Sequence, residues 1–131
     1  DNTEQNGSII DLTALGHIYH SAKLCIFGRA TLDTSETLIV TANVQDDDTD
    51  SSMSGADDYV YTADGGSGLL VATDVKTGLV TASPWHVELD VNLAIARRWI
   101  RAQITANLSR AGTDTALLAA VWIFGGADEL P

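Results

Sequence analysis

An alternation of apolar and polar side chains with a period of two, repeated in separate segments, limits the fold of this chain more than any other feature. In ETLIVTANVQ, Leu38, Val40, Ala42 and Val44 share one side and Thr37, Thr41, Asn43 and Gln45 the other, with Ile39 the one apolar exception. In PWHVELDVN, Trp85, Val87, Leu89 and Val91 alternate with His86, Glu88, Asp90 and Asn92. In RWIRAQITANL, Ile100, Ala102, Ile104, Ala106 and Leu108 alternate with Arg101, Gln103, Thr105 and Asn107. A helix would scatter each set around its axis, whereas a strand collects it on one face of a sheet.

Two further segments, AKLCIFGRA and ALLAAVWIFGG, are apolar on both faces. That pattern predicts central strands covered on both sides, or a strand lying in a subunit contact. The second also has the Ala and Leu content of a short buried helix, but its VWIF ending and the Gly125-Gly126 stop favour a strand. Weaker strands are expected at SIIDL, DYVYT, GLLVAT and GLVTA, separated by clusters of Asp, Ser, Thr, Gly and Pro that form turns. LGHIYHS, from Leu15 to Ser21, reads as a connecting loop, and a turn or two around VNLAIARR is the helical candidate. No repeat or linker divides the chain. Its 131 residues suffice for one core without disulfides or metals. The expectation is a single all-β domain over residues 1–131, an antiparallel β-sandwich or jelly roll with at most one short helix.

Charge narrows the function classes. With 18 acidic against 7 basic residues, a formal net charge of −11, the chain opposes binding to nucleic acid through phosphate neutralisation. Its basic residues are segregated, Arg97, Arg98, Arg101 and Arg110 lying close together. Cys25 is the one cysteine, which rules out an intrachain disulfide and a zinc site of several thiolates, and suits a reducing compartment of assembly. Neither a membrane-spanning apolar run nor the basic and apolar parts of a signal peptide occur. The reading is of a soluble protein outside that secretory route, without membrane contact.

The stretch QDDDTDSSMSGADDY, Gln45 to Tyr59, invites three readings: a metal loop, an acidic recognition surface, or the turn of a hairpin. Asp46, Asp48, Asp50 and Asp57 imitate the ligand spacing of an EF-hand calcium loop. Ser51 stands where that loop needs Gly, however, and no helices flank it. A hairpin connection with at most weak, nonspecific divalent binding is favoured. His17 and His20 form H-x-x-H without a third zinc ligand at matching spacing, and they read, like His86, as surface or loop residues. No G-x-S-x-G occurs, Cys25 falls in an apolar strand where a buried, inert thiol is expected, and Asp64–Gly68 lacks the Lys and helix of a phosphate cradle. The chain therefore reads as noncatalytic, with no metal and no cofactor.

Among the tryptophans, Trp85 falls on the apolar side of its strand, while Trp99 shares a face with Arg101, Gln103 and Thr105. An exposed Trp beside Arg is what a protein–protein hot spot looks like. The candidate partner-binding residues are Arg97, Arg98, Trp99 and Arg101, together with Asp46, Asp47 and Asp48. The arginines are placed to pair with acidic groups of a partner, or with the acidic stretch of an adjacent copy. Asn in place of Asp46, Asp47 and Asp48 is expected to leave folding nearly unchanged.

Three segments carry a resemblance. SIIDLTALGHIYHSAKLCIFGRATLDTSETLIVTANVQDDDTDSS runs from a strand ending in I-D-L through a loop and two strands into an acidic turn. RRWIRAQITANLSRAGTDTALLAAVWIFGG joins a basic-aromatic strand to a closing apolar strand, and GGADELP ends the chain. Together these resemble the small phage virion proteins called capsid decoration or cement proteins, the Bordetella-phage cement family among them. The stretch from Tyr59 to Ser83 departs from that pattern. The resemblance implies a noncatalytic structural protein of the virion, put together in the host cytoplasm and bound to the outer capsid surface. It would stabilise contacts between subunits of the major capsid protein and form homo-oligomers, dimers or trimers. A carbohydrate-binding β-sandwich module on a virion spike or fibre, perched on Trp99, is the alternative.

Overall fold

Each alternating segment becomes a strand of one of two facing antiparallel sheets. The computed structural model describes residues 3–16, 18–49, 51–59, 71–77, 83–110, 112 and 114–127, with 71–77 and 83–85 described through their backbone alone. The strands are β1 (Glu4–Asn6), β2 (Ile10–Asp11), β3 (Tyr19–Thr31), β4 (Thr37–Asp47), β5 (Asp57–Asp58), β6 (Val71–Thr77), β7 (Ser83–Asn92), β8 (Trp99–Leu108) and β9 (Thr115–Ala127). In the larger sheet β8 and β4 pair at the centre, β1 and β2 share the outer edge of β8, and β5 and β6 share the outer edge of β4. The smaller sheet has the order β7-β3-β9. This is the all-β antiparallel sandwich that the alternation predicts.

The parity read from sequence is the parity of the core. Leu38, Val40, Ala42 and Val44 of β4, and Ile100 and Ala102 of β8, turn inward against Ala22, Leu24 and Ile26 of β3. Leu24, Ile26, Leu38 and Ile100 have no exposed surface at all. Across β3, Leu24 stands opposite Leu89 on one side and Trp122 on the other. Trp122 stacks on Phe124, its neighbour on the same face of β9, with ring centroids 6.1 Å apart. The backbone of Trp85 lies in β7, and its side chain is outside the described residues.

Several local expectations change. LGHIYHS is a loop only in part, because Leu12–Leu15 forms a 3₁₀ turn and β3 already begins at Tyr19. A 3₁₀ turn also replaces the helical candidate, covering Leu93–Ile95. Both turns start from a strand-ending side chain: Asp11 accepts from the N–H of Thr13, and Asn92 from the N–H of Ala94, each at 3.0 Å. Such caps satisfy donors that a turn leaves unpaired, so the chain can leave a sheet without stranding them. Of DYVYT, Asp58 lies in β5 and Tyr59 follows that strand, while residues 60–62 lie outside the described residues. GLVTA up to residue 82, His17, Asp50 and Asp64–Gly68 lie outside the described residues.

Order along the chain explains the layout. It passes between sheets from β2 to β3, from β3 to β4, from β6 to β7, from β7 to β8 and from β8 to β9, while β4, β5 and β6 stay in one sheet. That winding, from one sheet to the other and back, builds the antiparallel β-sandwich. The smaller sheet holds three strands, so among the described residues β9 pairs along β3 alone and presents its other edge unpaired. AKLCIFGRA is a central strand, as its composition predicts, whereas ALLAAVWIFGG is an edge strand.

Candidate functional site

The acidic stretch is a hairpin, and the structure carries β4 two residues beyond the alternating segment, to Asp47. Asp46 continues the inward parity of β4 and is 4% exposed; Asp47 is 1% exposed. Of the three candidate aspartates, only Asp48 faces solvent. The Asp47 carboxylate accepts from the backbone N–H and the hydroxyl of Thr49, both at 2.8 Å, which closes the turn. On the return strand Asp57 sits opposite Asp46 and Asp58 opposite Gln45. Two carboxylates at opposed positions repel, and Arg97 answers both. Its backbone N–H donates to Asp46 at 3.0 Å and its Nε lies 3.3 Å from that carboxylate. Its Nη2 donates to Asp57 at 2.7 Å. Burial pushes the Asp46 carboxyl above the usual range, and the Arg97 contacts offset this only in part.

Arg98 and Arg101 are engaged within the chain as well. Arg98 grips Asp11 with both arms of its guanidinium, Nε at 3.0 Å and Nη2 at 2.7 Å. That hydrogen bonding, with a smaller share from Thr13, holds the Asp11 carboxyl well below the usual range. The Arg98 guanidinium also lies 4.4 Å above the Trp99 ring, a cation–π contact. Arg101 donates through Nε and Nη2 to the Gln45 side-chain oxygen at 3.0 and 2.7 Å. Arg97, Arg98, Trp99 and Arg101 therefore form one end of the larger sheet together with Asp46, Asp47 and Asp48, as the sequence grouping has them. Their contacts bind the hairpin and the Asp11 turn to β8. The signal that would have found this is the hairpin register, which brings this chain's own Asp46 and Asp57 to Arg97.

On the same sheet, the outward residues of β4 and β8 make a row of amides. Asn43 donates to Asp58 at 2.5 Å, Gln45 to Asp58 at 3.2 Å, and Gln103 to Glu4 at 2.6 Å and Asn6 at 3.0 Å. These hydrogen bonds tie the short edge strands β1 and β5 to the sheet, while the buried Oδ1 of Asn43 accepts none among the described residues. Among the described residues no group of three or more His, Cys, Asp or Glu is arranged to hold a metal ion.

The outward face of the smaller sheet has a different character. Along β9 the side chains of Leu117, Val121 and Ile123 are 70%, 51% and 54% exposed. Beside them on β3, Phe27 is 49% exposed, opposite Ala119 on one side and His86 on the other. Cys25, between Val121 and Glu88, is buried, as its apolar strand predicts. One flank of the strip is charged, where Lys23 pairs with Glu88 at 2.7 Å and Asp90 at 3.1 Å. Contiguous exposed apolar side chains mark contact surfaces. The candidate residues chosen from sequence do not include Phe27, Leu117, Val121 and Ile123. Their signal is present all the same: both segments that are apolar on two faces lie here, and one of those faces has no cover. Comparison with protein-family models, curated proteins and solved structures gives no match.

Proposed function

We propose that this chain is a noncatalytic structural protein of a phage virion, a cement or decoration protein that docks on the outer capsid surface and bridges subunits of the major capsid protein. The observation that carries the reading is the apolar strip of Phe27, Leu117, Val121 and Ile123 on a chain whose net charge is −11. Acidic charge elsewhere keeps the free protein soluble, while the strip supplies area whose burial favours association by about 25 cal/mol per Å². The resemblance in the hairpin and in the two C-terminal strands chooses the capsid as the partner. Arg97 and Arg101 serve this role by bracing the acidic hairpin and Arg98 by holding the Asp11 turn, and Asp48 with Trp99 stays at the rim of that end. Arg98 lies over one face of Trp99, which leaves the carbohydrate alternative a narrower platform.

Phe27→Asp tests the reading, because Phe27 lies on the central strand and its side chain stands outside the core. Particles assembled without this protein, then supplied with wild type or variant, are heated and assayed for release of contents. Wild type is expected to bind and raise the release temperature, and the variant to fold normally yet stay in the supernatant. Particles that resist heat equally well without the protein would overturn the proposal.

A further inference from the structure

We infer that the edge of β9 left unpaired among the described residues pairs antiparallel with β9 of a second copy, joining two three-stranded sheets into one sheet of six strands. Exposed edges are templates for strand addition, and natural proteins guard them with charges, Pro or short length. The opposite edge of the same sheet is guarded in that way: β7 carries Pro84, Glu88 and Asp90. β9 has no such guard. It runs for 13 residues, TALLAAVWIFGGA, and it is the one described strand without a charged residue.

A second, independent feature lies alongside. Between β1 and β9 the sandwich is open as a groove of about 480 Å³, lined by Gln5, Gly7, Ile104, Leu108, Leu118 and Ala120 among others. Ile104, Leu108 and Leu118 pack against the core and remain only half-buried. A strand added to β9 would lay its inward side chains over this opening and extend a layer that, among the described residues, ends at β9. Alternate residues of the added strand must therefore be apolar on both faces, because one face meets the groove and the other continues the exposed strip.

Within this chain, β9 itself meets that requirement. Two copies of a protein with net charge −11 repel, and a charge-free strip is where they approach at least cost. A two-fold axis near Val121, the midpoint of the strand, makes the contact self-complementary. Val121 then faces its own copy, Ala119 faces Ile123 of the partner subunit, and Leu117 faces Gly125 of the partner subunit. Thirteen paired residues make a seam of about 44 Å at about 3.4 Å per residue. The axis is perpendicular to the joined sheet, so both copies turn their Phe27 strips to the same side. The pairing stands on β9 and the groove alone. Its consequence, a doubled docking face whose two halves add as avidity, rests on the proposed role.

Sedimentation equilibrium of the purified chain at micromolar concentration tests the pairing. Wild type is expected to sediment as a dimer. Val121→Lys, which sets two ammonium groups against each other at an exposed position, is expected to sediment as a monomer with unchanged circular dichroism. Val121→Cys in a Cys25→Ala background provides a second reading that does not depend on the charge. Residues opposed across an antiparallel pair have Cα atoms about 4.5–5.5 Å apart, inside the range a disulfide spans, so oxidation is expected to link two chains covalently. A monomeric wild type overturns the inference and leaves the strip to a strand of another protein. A dimer that ignores Val121→Lys, or that fails to cross-link through Cys at position 121, also overturns it. Neither failure touches the capsid proposal, which is read on particles with Phe27→Asp.

Discussion

Asp46 is the residue whose substitution says most about what holds the hairpin. It is nearly fully buried, accepts from the Arg97 N–H at 3.0 Å and lies 3.3 Å from the Arg97 Nε. Two effects oppose one another. Burying a carboxylate is costly, and its raised pKa shows that the folded site disfavours the charge even with Arg97 beside it. The same carboxylate, however, satisfies a backbone donor, and a donor left without its acceptor costs about 1–3 kcal/mol. Asp46→Asn retains an oxygen acceptor and the volume, and it relieves the charge. Asp46→Ala removes the acceptor and opens a small void. The Asn variant is therefore expected within about 1 kcal/mol of wild type, and the Ala variant about 2 kcal/mol less stable. Urea denaturation followed by tryptophan fluorescence at neutral pH measures both, and the slope of the transition should not change. An Asn variant as damaged as the Ala variant would show that the ionic attraction, not the hydrogen bond, carries the hairpin, and would refute the reasoning. For the solvent-facing Asp48, Asn is expected to leave the midpoint where it is.

Acid titration separates the two perturbed carboxylates. Asp11 is held below its ordinary value of 3.8, so the stability it contributes is present above that pH and is lost as pH falls through its depressed folded value. Asp11→Asn should flatten this acid limb of the stability curve, and an unchanged limb would exclude the Arg98 pair as its source. Asp46 has the opposite sign: its folded pKa is raised, so its ionisation reduces stability as pH rises through the range between the unfolded and folded values, and Asp46→Asn should remove that slope. In the core, Leu24→Ala should cost about 2–5 kcal/mol by urea denaturation, since Leu24 is fully enclosed between Leu89 and Trp122. A loss below about 1 kcal/mol would mean that the two sheets are not packed as described.

Much of the fold is legible along the chain because a half-buried strand must repeat its apolar side every second residue. Leu38, Val40, Ala42 and Val44 announce one strand without reference to any other residue, and Ile100 and Ala102 another. The 3₁₀ turn at Leu93–Ile95 was harder to tell from a helix, since a stretch that short has no periodicity to measure. AKLCIFGRA and ALLAAVWIFGG share the same doubly apolar composition, yet one became the central strand of its sheet and the other the edge. Composition records which faces are apolar, not what lies against them.

The charged residues divide along the same line. The alternation read from sequence ends at Gln45, and the cluster of arginines is visible by count, but neither reveals that Asp46 turns inward or that Arg97 binds Asp46 and Asp57 across about forty to fifty positions of chain. Pairing of this kind depends on the register between strands distant in sequence, and register is settled only when both sheets close over a common core. Local order therefore assigned the longer strands, their faces and the acidic turn, while the short β1 at Glu4–Asn6 went unannounced. Tertiary closure alone decided that two of the acidic residues in that turn are buried, that Arg97 and Arg98 spend their charge on aspartates of the same chain, and that Phe27, Leu117, Val121 and Ile123 remain uncovered on one face.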